Sequence, residues 1–313
     1  MHIPDGFLDA KTAVTTAGLA GGGLGLALRQ VRRQLPRSKV PLLGLAAAFV
    51  FAAQMLNFPV AGGTSGHLVG GVLTAVLLGP SAAVIVLASV LIVQCFVFAD
   101  GGVTALGANI FNMGIIGGVG GYAIYRAIRG AFSGLRGQIV AAVVAAWCST
   151  VAAAICCAGQ LALSGTVSWS VAFPAMANVH MLIGVGEGLI TALVLAAVAR
   201  ARPELLEPSS GRNVRLSYGP VLVFGLLISF GLALFVAPFA CSWPDGLDKV
   251  AQSLGFEHRA AGQPLIHSPI PEYQLPGISS AAMATSLAGM IGIVVVFVLA
   301  FVLARVLVPK QTR

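Results

Sequence analysis

The sequence predicts an all-α membrane protein: a seven-helix bundle followed by two further transmembrane helices, nine spans in total, with the N-terminus outside and the C-terminus inside. Three observations lead there. Of 313 residues, 58% are hydrophobic and 9% are charged, so the apolar surface exceeds what one soluble core hides. Long apolar runs recur along the chain without the alternation that a β-barrel requires. The basic residues, which give a formal charge of +8, gather in short segments between those runs, which is an orientation signal and not a nucleic-acid footprint.

The runs lie at 12–29, 41–60, 67–79, 81–99, 105–126, 138–163, 175–200, 219–240 and 279–308. The third, closed by Gly79-Pro80, reaches only about 20 Å as a helix. Short or broken helices often mark a binding site in the membrane interior. It counts as a crossing because alternation from an outside N-terminus then leaves only Lys11, Lys249 and Arg259 of the 18 basic residues outside, whereas omitting it inverts every later loop. Pro174 reads as part of the first turn of the seventh helix. Residues 1–200 thus form the seven-span unit. Residues 201–218, polar, charged and proline-containing, read as a cytoplasmic linker, and 219–313 as a two-span unit with an extracytoplasmic loop over 241–278. In that loop, Pro244-Asp245 followed by Leu247, Val250, Ala251 and Leu254 predicts a short capped amphipathic helix, and the proline-rich remainder an extended stretch.

The 39 glycines scattered through the apolar sequence imply close helix packing. Ala46–Ala48 with Ala52 and Ala53, and the Gly117–Gly121 cluster, offer small-residue faces on which a partner subunit can dock. The five cysteines show no C-x-x-C spacing, and all but Cys241, at a membrane edge, read as small buried hydrophobes. No basic stretch precedes the first run, so a cleavable signal is not expected. His2 is bulky, and aminopeptidases that remove initiator Met need a small second residue; Met1 is therefore expected to keep a free amine.

That amine, the Met1–His2 amide nitrogen and the His2 imidazole can wrap one metal in two fused chelate rings, leaving one in-plane position open. His67, in Gly62-Gly63-Thr64-Ser65-Gly66-His67, starts on the same side of the membrane and is the candidate for the fourth nitrogen. The glycines before it let a loop fold closely around an inserted N-terminal strand. A His at a helix mouth also serves as an interfacial packing residue. Tetragonal nitrogen fields suit Ni²⁺ and Cu²⁺, with Co²⁺ also accommodated, whereas Ca²⁺ and Mg²⁺ want oxygens.

Met1-His2-Ile3-Pro4-Asp5-Gly6-Phe7-Leu8, then Gly62–Leu68, then His180 with Ile183-Gly184-Val185-Gly186-Glu187-Gly188, resemble the CbiM/NikM family. These are substrate-binding (S) components of cobalt and nickel energy-coupling-factor transporters, and the resemblance covers residues 1–200. It implies an S-component-like seven-helix unit that binds metal through the amine of Met1, the amide and side chain of His2, and His67. It also implies partners: a transmembrane coupling subunit and two cytoplasmic ATP-binding subunits. Pro244-Asp245-Gly246-Leu247-Asp248 with Leu254-Gly255-Phe256 resembles the PDGLE (NikN-like) domain, with Asp248 in place of the Glu that names it, and tilts the expectation toward nickel.

His180 and Glu187, seven apart on one helical face, read either as outer partners of the site and a passage beneath it or as a packing network. Asn57, Thr64, Asn109 and Asn112 carry the same two readings. His258 and His267, in the outer loop with Asp245, Asp248 and Glu257, read as solvated residues or as collectors of metal. The chain has no G-x-x-x-x-G-K-[ST] and no H-E-x-x-H, so neither its own ATPase nor a zinc protease is expected. No cofactor is expected beside the transported Ni²⁺ or Co²⁺. A metal receptor without transport and an ion-coupled carrier are the other classes weighed; the second finds Glu187 nearly alone as an intramembrane carboxylate.

Overall fold

The computed structural model describes residues 1–206, 218–260 and 265–309. Most of the expected linker, 207–217 with Arg212 and Arg215, lies outside the described residues, as do Lys310 and Arg313.

The first residues run without helix to Asp9, whose carboxylate accepts the Thr12 N–H and starts α1 (Ala10–Gln34). Its buried positions, Thr12, Ala13, Thr16, Ala20, Ala27 and Val31, form one stripe at helical spacing. A turn at Arg37–Lys39 leads into α2 (Val40–Gln54). A hairpin follows, β1 (Phe58–Val60) paired antiparallel with β2 (Thr64–Gly66), then a non-helical stretch through Gly70 and the short α3 (Gly71–Leu78). Gly79, at φ 93°, and Pro80 break α3 from α4 (Pro80–Phe98). Helix α5 (Leu106–Asn109) continues through a π-helical stretch, Ile110–Gly120, into α6 (Gly121–Arg129). The long helices α7 (Gly134–Leu163) and α8 (Trp169–Ala201) pair side by side, with Trp147 Nε1 donating to the Met181 carbonyl at 2.9 Å. Helix α9 (Gly219–Gly231) extends by π and 3₁₀ turns to Phe239, α10 (Gly246–Leu254) lies in the outer loop, and α11 (Ala281–Leu307) closes the described chain.

Five helical stretches, Pro80–Phe98, Gly134–Leu163, Trp169–Ala201, Gly219–Phe239 and Ala281–Leu307, are long and apolar enough to cross a membrane. Leu182, Val185, Leu189 and Leu193 on α8 and Val294, Val298 and Val302 on α11 stay exposed at helical spacing, as lipid-facing stripes do. The protein is a mostly helical, multi-pass membrane protein.

Helix α8 begins at Trp169, earlier than expected, and Pro174 lies inside it. The bond it forfeits is that of the exposed Ser170 carbonyl near the helix mouth, which limits the cost. Nor are the small-residue faces free: Ala47, Ala48 and Ala52 are fully buried, and Gly117 and Gly118 lie against Gly71 and Ala83. Small residues here serve internal approach, not docking. The C-terminal unit shares this core. Phe51 of α2 fills the space above Gly292 of α11, where an added Cβ would sit 2.1 Å from the ring, and both lie among Ala47, Val50, Ile293, Val296 and Ala300.

Candidate metal site

An extended N-terminal segment in a protein interior needs partners for its backbone groups, and the Asn109 and Thr166 side chains and the Gly102 N–H supply them at Ile3 and Phe7. Asn109 brackets Ile3: its Oδ1 accepts the Ile3 N–H at 2.8 Å and its Nδ2 donates to the Ile3 carbonyl at 3.1 Å. The Gly102 N–H donates to the same carbonyl at 2.9 Å. Asp5 Oδ1 accepts from the Thr104 N–H and hydroxyl at 2.8 and 2.6 Å, and Thr166 donates to the Phe7 carbonyl. Gly102 runs so close that an added Cβ would stand 2.2 Å from the Asp5 nitrogen, so only glycine permits this course. Ile3 and Phe7 are buried in the apolar cluster formed with α10.

So held, the segment delivers Met1 to a buried pocket. Its amine lies 2.9 Å from His67 Nε2 and 2.7 Å from Asp245 Oδ2. The rings of His2 and His67 stack with centroids 5.2 Å apart and planes 21° apart. His2 Nδ1 sits 3.2 Å from Asp100 Oδ1, and the other oxygen of Asp100 accepts the Tyr273 hydroxyl at 2.5 Å. His2 Nε2 is buried with no partner among the described residues. One donor atom each from His2, His67 and Asp245 lie within 4.8 Å of one another, a grouping fit for one cation. Burial lowers the His2 imidazole pKa, against the pull of Asp100, and so favours the neutral ring that a metal needs. Burial alone would raise the Asp245 carboxyl pKa, but the Met1 ammonium beside it holds it well below the usual range.

His67 is held from the other side. Glu187 accepts the Val69 and Gly70 N–H groups at 2.6 and 2.9 Å, and Gln54 Nε2 donates to the Val69 carbonyl at 3.0 Å. Gly70, at φ 77°, makes the turn into α3 that this requires. Glu187 and Asn109 therefore act on backbone beside the pocket. Asn112 pairs reciprocally with Gln160 at 2.8 Å, a packing contact between the π-helical stretch and α7. Thr64 donates to the Pro244 carbonyl at 3.1 Å, and the Asn57 main-chain carbonyl accepts the Cys241 N–H at 2.8 Å, so both residues meet the C-terminal loop. His180 gives Nδ1 to the Met176 carbonyl at 2.8 Å, while its Nε2 is buried against Gly246 with no partner among the described residues. His258 and His267 are exposed and outside the His2–His67–Asp245 group.

Asp100 and Tyr273 are residues that sequence reasoning passed over, and Asp245 entered it only as part of the capped helix and the outer loop. Asp245 forms the expected N-cap of α10, its Oδ1 accepting from Leu247 and Asp248, and that role alone accounts for it locally. The signal for a second role was topological: these three residues fall on the same predicted side of the membrane as Met1 and His67.

A family model described as "Cobalt uptake substrate-specific transmembrane region" matches residues 2–205, and one described as "PDGLE domain" matches 219–309. The chain is 38% identical to the "Putative fused nickel transport protein NikMN" of Archaeoglobus fulgidus, over 97% of this chain and 98% of that protein. It is 32% identical to the "Fused nickel transport protein NikMN" of Rhodobacter capsulatus, over 95% of each. A solved structure described as a transition metal transporter aligns with a TM-score of 0.60 at 32% identity, covering 67% of this chain and 98% of that one. The chain belongs to the CbiM family and carries a PDGLE domain behind its CbiM region.

Proposed function

We propose that this protein is the substrate-specificity component of an ATP-driven energy-coupling-factor importer for Ni²⁺, or Co²⁺, and captures the metal on the extracytoplasmic side of the cell membrane. The observation that carries the reading is the Met1 amine, buried 2.9 Å from His67 Nε2 with the His2 ring stacked on the His67 ring. The amine and amide nitrogens, the His2 imidazole and His67 would supply four nitrogens, a field suited to Ni²⁺. The amine sheds its ammonium proton and the amide its own when the metal arrives. Nickel is placed ahead of cobalt because the relatives matched over almost the whole chain are named for nickel transport.

In this reading residues 1–200 are the metal-binding unit, 201–218 the cytoplasmic linker and 219–313 the two-span unit. The chain crosses nine times from an outside N-terminus, with transport powered by a coupling subunit and two ATP-binding subunits. Two contacts support the alternation: Ser81 donates to Gln30 at 2.7 Å at the end assigned inside, while Asn57 meets Cys241 at the end assigned outside. The third crossing is reached by the non-helical His67–Gly70 followed by the eight residues of α3, together about 25 Å.

The test is calorimetry on the purified chain with a free Met1 and a C-terminal tag. Extending the N-terminus by one residue, which turns the amine into an amide, and His67→Ala should each abolish high-affinity Ni²⁺ binding. Full-stoichiometry binding by the extended protein contradicts the reading. Uptake of labelled nickel that persists without the ATP-binding subunits would instead indicate a carrier.

A further inference from the structure

We infer that Asp245 of the C-terminal unit is a fifth, oxygen ligand of the metal, standing outside the plane of the four nitrogens. The inference rests on the reading of Met1, His2 and His67 as chelating residues. Two donors at about 2.0 Å from one metal and at right angles are about 2.8 Å apart. The Met1 amine has that spacing to both neighbours, 2.9 Å to His67 Nε2 and 2.7 Å to Asp245 Oδ2. Both hydrogen-bond distances from the amine thus match edges of a coordination polyhedron. His2 Nε2, on the residue that follows the amine, is buried without a partner among the described residues.

Charge argues the same way. A divalent cation bound by a deprotonated amide carries one net positive charge, and one aspartate makes the complex neutral. Neutrality lowers the cost of holding the ion away from water at the membrane boundary.

The placement of Asp245 is built. Ser65 donates its N–H to the Pro244 carbonyl at 2.8 Å and its hydroxyl to the Trp243 carbonyl at 2.8 Å, tying the residues before Asp245 to β2, which leads into His67. Oδ1 is engaged with the first turn of α10, leaving Oδ2 for the pocket. Beyond it, Leu247, Val250, Ala251 and Phe256 bury against the N-terminal segment, with Phe256 edge-on to Phe7 at 5.3 Å. Gly246 packs so tightly that an added Cβ would stand 2.9 Å from His180 Nε2. The C-terminal unit therefore closes the metal site as well as packing beside it.

The experiment uses the full chain with a free Met1 and compares wild type, Asp245→Asn and His67→Ala by calorimetry with Ni²⁺ and by the ligand-field spectrum and magnetism of the bound ion. Asn serves as an N-cap as well as Asp does, so α10 keeps its start and docking survives. Asp245→Asn should lower affinity at least about tenfold and move bound Ni²⁺ from a paramagnetic five-coordinate to a diamagnetic planar form. An unchanged spectrum and magnetic state in Asp245→Asn overturns the inference, whatever the affinity. If His67→Ala abolishes binding while Asp245→Asn leaves the spectrum unchanged, only this inference falls. Wild-type binding by His67→Ala removes the chelate reading itself.

Discussion

Asn109 and Glu187 are buried polar residues that meet backbone, and their effects should reflect that. Each satisfies main-chain groups of a segment carrying a candidate ligand, Ile3 next to His2 and Val69–Gly70 next to His67. In Glu187→Gln one N–H would face an amide NH₂ in place of an oxygen. That should cost about 1–3 kcal/mol in thermal unfolding of the detergent-solubilised protein, with a smaller effect on an already ligated site. Asn109→Leu should leave the helices intact by circular dichroism yet weaken Ni²⁺ affinity about 10–100-fold, because the freed N-terminal strand must be ordered by the metal itself. A loss of helix with unchanged affinity would contradict this. The identities of these residues as buried polar groups were legible in the sequence, from their place in apolar runs. Their partners were not, since an amide aimed at main chain and one aimed at a ligand look alike in one dimension.

Among elements, the apolar runs foretold the long helices α4, α7, α8 and α11, and the Pro-Asp pair foretold α10 with its cap. The hairpin β1–β2 was not foretold, because three-residue strands hold too little alternation to register. Nor was the π-helical stretch, where apolar residues and glycines fit any helical period. The proline-rich end of the outer loop is not simply extended: it forms a turn at Pro271–Tyr273 that stacks Tyr273 on Phe98 at 4.7 Å and gives its hydroxyl to Asp100. The non-helical segment at residues 1–9 depends on the closeness of Gly102. Gly102→Ala should push Asp5 outward and weaken Ni²⁺ binding at least about tenfold, while Gly25→Ala on α1, with open space around it, serves as the control that leaves binding unchanged.

At the scale of the molecule, membrane residence followed directly from composition. What no local pattern reveals is a contact across 244 positions, such as Met1 with Asp245, or the burial of α11 on α2. Such contacts leave no periodicity, only complementary groups at distant places. The nine-crossing arrangement predicts that, in a cysteine-free background, cysteines introduced at Lys11 and His267 are labelled by a membrane-impermeant thiol reagent from outside in intact cells. Cysteines at Lys39 and Gly130 should react only after the membrane is opened. The reverse labelling of either pair would overturn the arrangement.

The claim on which all of this turns is that the free beginning of the chain grips the cation. Anomalous diffraction at the nickel edge from crystals of the unextended protein grown with Ni²⁺ tests it most directly. The account predicts one strong peak within bonding distance of the Met1 amine, His2 and His67. A peak elsewhere in the chain, with those residues unoccupied, would contradict it.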